Sequence, residues 1–157
     1  MNLAFKTTIN GKPTNFVEKI WEGFLQRGIS FKAKEMQIGM KALPEEYKIK
    51  TFNPKLHTIR KDENSRWKAG IMIDFFINPR QKNMFRFAPR VPVVSTQLIV
   101  IIYNEDQRNV FVDGIKLCDK KIEDLAVNDG FENQIKFFEY FFEDFTGQII
   151  HWTDLQY

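Results

Sequence analysis

Cysteine is nearly absent from this sequence: Cys118 stands alone in 157 residues. A single thiol excludes an intrachain disulfide and a metal site built from cysteines, and it fits a reducing compartment. Following apolar Leu117, Cys118 reads as a buried small hydrophobe. Histidine is scarce too. His57 and His151 lie far apart in sequence with no third ligand at a recognisable spacing, so no metal is expected. Neither Gly-x-Gly-x-x-Gly nor Gly-x-Ser-x-Gly occurs, which leaves out a dinucleotide loop and a serine elbow, and no cofactor is called for. Long apolar runs are missing as well: no window approaches about 18 residues, and the Met1–Lys6 start has no extended apolar region. The expectation is a cytoplasmic protein, neither secreted nor membrane-spanning. Internal repeats and low-complexity tracts are also absent.

What is present argues for a substantial core. Hydrophobic residues make up 43% of the chain, 16 of them phenylalanine, and charged residues a moderate 27%. A chain of this length fits one domain, residues 1–157, and needs no staple. The net charge of +3 is unevenly spread. Lys55 to Arg90 holds nine Lys/Arg against three Asp/Glu, whereas Asp119 to Tyr157 holds three against nine. A basic segment of this kind attracts phosphates, or else forms a solvated face that pairs with the acidic end.

Period-two patterning over Asn2–Ile9 predicts a first strand, and Asn10-Gly-Lys-Pro13 turns the chain. Thr14 or Asn15 can cap a helix running to Gln26, with Gly28 as its stop. Residues 29–54 show no sustained period and read as a surface excursion, with Leu43-Pro44 as a turn or short helix start. Extended segments follow at Ile71–Ile77, Met84–Pro89, Arg90–Tyr103, which is strongly β-branched, Val110–Val112 and Ile115–Leu117. Asn104–Asn109 and Asp113-Gly114 serve as links. A curled sheet or barrel is the expected result. The acidic end changes period: one short helix over Lys121–Val127, then a second from Glu132 or Asn133 to Gly147. The second would lay Ile135, Phe138, Phe142, Phe145 and Phe137, Phe141 on the sheet, before a last strand from Gln148 to Trp152.

The chemistry concentrates between Lys55 and Ile77. A basic and hydroxyl cluster, Lys55, Thr58 and Arg60, precedes a polar turn, and Arg66-Trp67-Lys68 follows it. Arg60, Lys61, Arg66 and Lys68 can hold phosphates, and Trp67 can stack on a base or plug the end of the sheet. Arg60 can equally form a structural ion pair with a carboxylate of the acidic end.

Lys55-Leu-His-Thr58-Ile-Arg60, then Trp67-Lys-Ala-Gly70-Ile-Met-Ile, then Leu125-Ala-Val-Asn-Asp129-Gly130-Phe131, resembles the ASCH family of PUA-like domains. The match covers roughly Lys55 to the C-terminal end. Leu56 stands in place of the motif's first threonine, Ile71 in place of an acidic residue, and Asp129 in place of a glutamate. The resemblance implies an α+β fold, a small β-barrel with flanking helices, and RNA or nucleotide binding. In one branch of the family it implies amide hydrolysis of acetylated cytidine, whose lysine, threonine and acidic residue fall here on Lys55, Thr58 and Asp129.

Three functions follow as expectations. The first is an RNA- or nucleotide-binding domain whose ligand is contacted by Lys55, Thr58, Arg60, Arg66, Trp67 and Asp129. The second is a small amidohydrolase acting on an acylated nucleoside through Lys55, Thr58 and Asp129. The third is an interaction module using the phenylalanine-rich helix, which requires Phe137 or Phe141 to be exposed.

Overall fold

A computed structural model describes residues 1–32, 37, 52–104 and 107–157. The elements are β1 (Asn2–Phe5), β2 (Thr8–Ile9), β3 (Lys12–Pro13), α1 (Phe16–Gln26), β4 (His57–Arg60), β5 (Met72–Ile77), β6 (Phe85–Arg86) and β7 (Val91–Pro92). They continue with β8 (Ser95–Asn104), β9 (Gln107–Val112), β10 (Ile115–Lys116), α2 (Asp119–Asn128), α3 (Gln134–Tyr140) and β11 (Phe145–His151). The fold is α+β, with most of its elements strands. No closed barrel is found among the described residues. Most of the excursion expected at 29–54, including Leu43-Pro44, lies outside those residues. The chain divides into two compact units, Met1–Lys55 with Ile71–Pro92, and Leu56–Gly70 with Val93–Tyr157.

In the first unit, β1 pairs in parallel with β5, and β6 and β7 pair antiparallel to β5. The strand expected over residues 2–9 is interrupted after Phe5, and β2 instead forms a two-residue ribbon with β3. Helix α1 begins after Asn15, which sits in the left-handed region, and Gly28 at φ 63° follows its end. Ile20, Trp21 and Phe24 are buried, whereas Leu25 is exposed. The core is aromatic: Phe5 stacks on Phe75 at 5.8 Å, Phe24 meets Phe75 edge-on, and Trp21 Nε1 donates to the Phe87 carbonyl at 3.1 Å. Asp74, the one charge inside β5, is buried and joined by Arg90 Nε at 2.6 Å and Arg86 Nη1 at 3.3 Å. Burial alone would raise its carboxyl, but hydrogen bonds from the two guanidinium groups hold it below the usual range.

The second unit is a five-stranded antiparallel sheet in the order β10–β9–β8–β11–β4. Ile59, Ile99, Ile101, Val110, Val112 and Ile149 pack with Ile122, Leu125, Ala126, Phe137, Phe138 and Phe141 into one core. Asp113 at φ 50° and Gly114 at φ 82° make the two-residue hairpin turn the sequence announces. The link expected at Asn104–Asn109 is shorter, because Asn104 and Gln107–Asn109 are already paired strand.

The helix expected to run to Gly147 ends at Tyr140. Asn133 caps its start by accepting the Lys136 N–H at 2.9 Å. Residues 145–151 enter β11 instead, pairing with β8 throughout and with β4 from Gln148 onward. A helix continued to Gly147 would forfeit the first three pairs of the β8 ladder, so tertiary pairing overrides the helical period. Ile135 and Phe142, assigned to the apolar face, are exposed, while Phe137 and Phe141 are buried.

Candidate functional site

Strand β4 carries the motif residues, and its alternation decides where they face. His57 pairs with His151, Thr58 with Ile150, and Ile59 with Ile149. His57 and Ile59 therefore share one face of the sheet, and Thr58 takes the opposite one. Thr58 is only 1% exposed.

Asp129 follows α2 as its C-terminal cap, its N–H donating to the Leu125 carbonyl. Its Oδ1 accepts the Ile59 N–H at 3.1 Å and lies 3.6 Å from His57 Nδ1. The carboxylate thus ties the end of α2 to β4. Burial lowers the Arg60 guanidinium from its ordinary value, with Asp129 and Tyr140 drawing it back upward.

The turn after β4 is organised by Asp62. Its buried carboxylate accepts the Trp67 N–H at 2.9 Å and the Arg66 Nε–H at 3.4 Å. Burial pushes this carboxyl up, but those hydrogen bonds prevail and hold it low. The turn leaves Lys61, Arg66 and Lys68 exposed and buries Trp67. A base could stack on Trp67 only after the indole left that packing.

Lys55 belongs to the first unit. It is 1% exposed, its N–H donates to the Lys19 carbonyl at 2.8 Å, and its ammonium stands 4.8 Å from the Phe16 ring centre. The other sequence-designated residues, Thr58, Arg60, Arg66, Trp67 and Asp129, belong to the second unit.

Sequence reasoning considered the two histidines only as metal ligands and missed their pairing. Antiparallel β4 and β11 bring the His57 and His151 rings to 5.3 Å. Tyr157 joins them: its hydroxyl is 2.7 Å from His57 Nε2 and accepts from Asn128 Nδ2 at 3.0 Å. His151 is fully buried, and burial together with neighbouring His57 pushes its pKa down to about 3, leaving a neutral imidazole. His57 opens β4 and His151 closes β11, and only the antiparallel register sets them opposite each other.

Cys118, expected to be buried, is exposed, because it sits at the turn where β10 hands over to α2. Among the described residues no group of three or more His, Cys, Asp or Glu is placed to hold a metal, and no helix is long and apolar enough to cross a membrane. No family model, curated protein or solved structure matches this chain.

Proposed function

We propose that the chain is a PUA-like domain related to the ASCH family, and that it binds RNA or a nucleoside through β4 and the turn that follows it. The observation that carries this reading is the grouping within the second unit of the buried polar side chains His57, Asp129 and His151 on β4 and the elements meeting it. Burying such groups costs stability unless each is hydrogen-bonded, so a pure scaffold would favour apolar residues there. Exposed Lys61, Arg66 and Lys68 on the adjoining turn supply phosphate contacts, and Asp129 and the histidines supply hydrogen-bonding groups for a base.

A second reading, hydrolysis of an acylated nucleoside such as acetylcytidine, draws support from the Asp129–His57–Tyr157 succession, in which a carboxylate, an imidazole and a phenol adjoin. The interaction-module reading has lost the feature it needed, since Phe137 and Phe141 are buried.

One experiment separates these. Single-stranded RNA binding is followed by fluorescence anisotropy while acetate release from acetylcytidine is assayed on the same protein. RNA binding without acetate release supports the binding reading. Turnover that Asp129→Asn abolishes supports the hydrolase. Neither activity contradicts both.

A further inference from the structure

The face of the second unit's sheet that carries Ile59, Ile99, Ile101 and Ile149 changes character at one end. In register, His151 of β11 lies between Ser95 of β8 and His57 of β4, so all three side chains project from that same face. Gln97, two residues along from Ser95, continues the polar row. The apolar core therefore stops at Ile149, and a row of hydrogen-bonding side chains takes its place.

Part of this row is satisfied. Gln97 donates to Asp113 Oδ2 at 2.9 Å and accepts the Tyr157 N–H at 3.1 Å. Two members differ. Both ring nitrogens of fully buried His151, and the buried Oγ of Ser95, have no hydrogen-bond partner among the described residues. Leaving such groups unpaired costs stability, so a concentration of them in one place asks for an explanation. Neutral imidazole offers one donor and one acceptor, and the serine hydroxyl offers both.

We propose that Ser95 and His151 form a subsite for a neutral, planar, nucleobase-type group, which presents a donor beside an acceptor on one edge. This rests on the nucleic-acid reading above and names the part of the ligand read by these residues. Tyr157 is the cover of the subsite. Its ring lies 6.2 Å from that of His151, and its hydroxyl is held by His57 and Asn128. Entry of the base displaces the phenol, and the ring then stacks against the incoming plane.

Cytidine, uridine, adenosine and guanosine are titrated separately into the full chain. Binding is followed by calorimetry and by the ¹⁵N resonances of the imidazoles. At least one nucleoside is expected to bind and to shift the His151 nitrogens. Ser95→Ala, which removes only a hydroxyl, is expected to weaken that binding about tenfold. Tyr157→Phe, which frees the cover from His57 and Asn128, is expected to strengthen it. His151→Gln provides a second test of the same contact should a larger replacement unfold the protein. The proposal is overturned if Ser95→Ala and His151→Gln bind nucleosides like the wild type, or if a nucleoside-soaked crystal shows only water between Ser95 and His151. RNA binding that persists with no nucleoside effect on His151 overturns this subsite alone. Loss of both RNA and nucleoside binding in the wild type overturns the parent reading with it.

Discussion

His151 gives the unit a measurable dependence on pH. Its folded pKa of about 3 lies below the ordinary 6.5, so the unfolded chain takes up the proton first as pH falls. The stability due to a neutral His151 is complete above pH 6.5 and drains away toward pH 3. By pH 5 about 2 kcal/mol of it is gone. Urea unfolding at pH 8 and pH 5 should show the wild type losing about that much more stability than His151→Gln; equal losses would place the imidazole in a solvated site. Gly147 makes a second residue-scale case. A Cβ there would lie 2.6 Å from the Arg60 carbonyl oxygen and 2.6 Å from two Phe145 ring carbons. Backbone cannot yield as a flexible side chain does. Gly147→Ala should therefore cost about 1–3 kcal/mol, read as a drop in melting temperature. The sequence showed this glycine only as a helix stop, because the close approach of β4 exists solely in the folded sheet.

At the scale of elements, what could be read depended on whether the cause was local. Helix α1, the Asp113-Gly114 hairpin and β5 follow from helical spacing, turn chemistry and a local apolar run, and all three are close to where those signals put them, although Asn15 at the start of α1 makes no side-chain cap. The end of α3 is different. Residues 137–145 carry helical spacing, yet β11 begins at Phe145 because β8 offers a ladder from there and β4 a second from Gln148, partners that lie 44 to 94 residues upstream. The candidate site divides in the same way. Thr58 and Asp129 were visible through their motif, whereas the His57, His151 and Tyr157 cluster depends on an antiparallel register that no local pattern encodes. The turn after β4 offers a test at this scale. Asp62→Ala would strip the buried Trp67 N–H of its acceptor and release Arg66. A destabilisation of about 1–3 kcal/mol in chemical denaturation is expected. A much smaller change would mean that the turn is held by other contacts.

For the molecule as a whole, the proposed function rests on charge and polarity that strand pairing groups within the second unit. The basic stretch from Lys55 to Arg90 does not act as one patch: Arg86 and Arg90 are engaged by Asp74 in the first unit, and Lys61 is paired with Glu63 at 2.9 Å. The Lys61–Glu63 pair is exposed, so it exchanges readily with solvent and with other anions, and contributes little to stability. On the proposed reading, phosphate contact falls to the turn bearing Lys61, Arg66 and Lys68, and three such contacts would set the salt dependence. The most direct measurement is the affinity for single-stranded RNA at 50 mM and 200 mM salt, for the wild type and for Arg66→Ala/Lys68→Ala. The account predicts that wild-type affinity falls about 20-fold between the two conditions and that the double variant binds more weakly with a shallower salt slope. Absence of RNA binding at 50 mM salt, or a double variant with the wild type's affinity and slope, would contradict it.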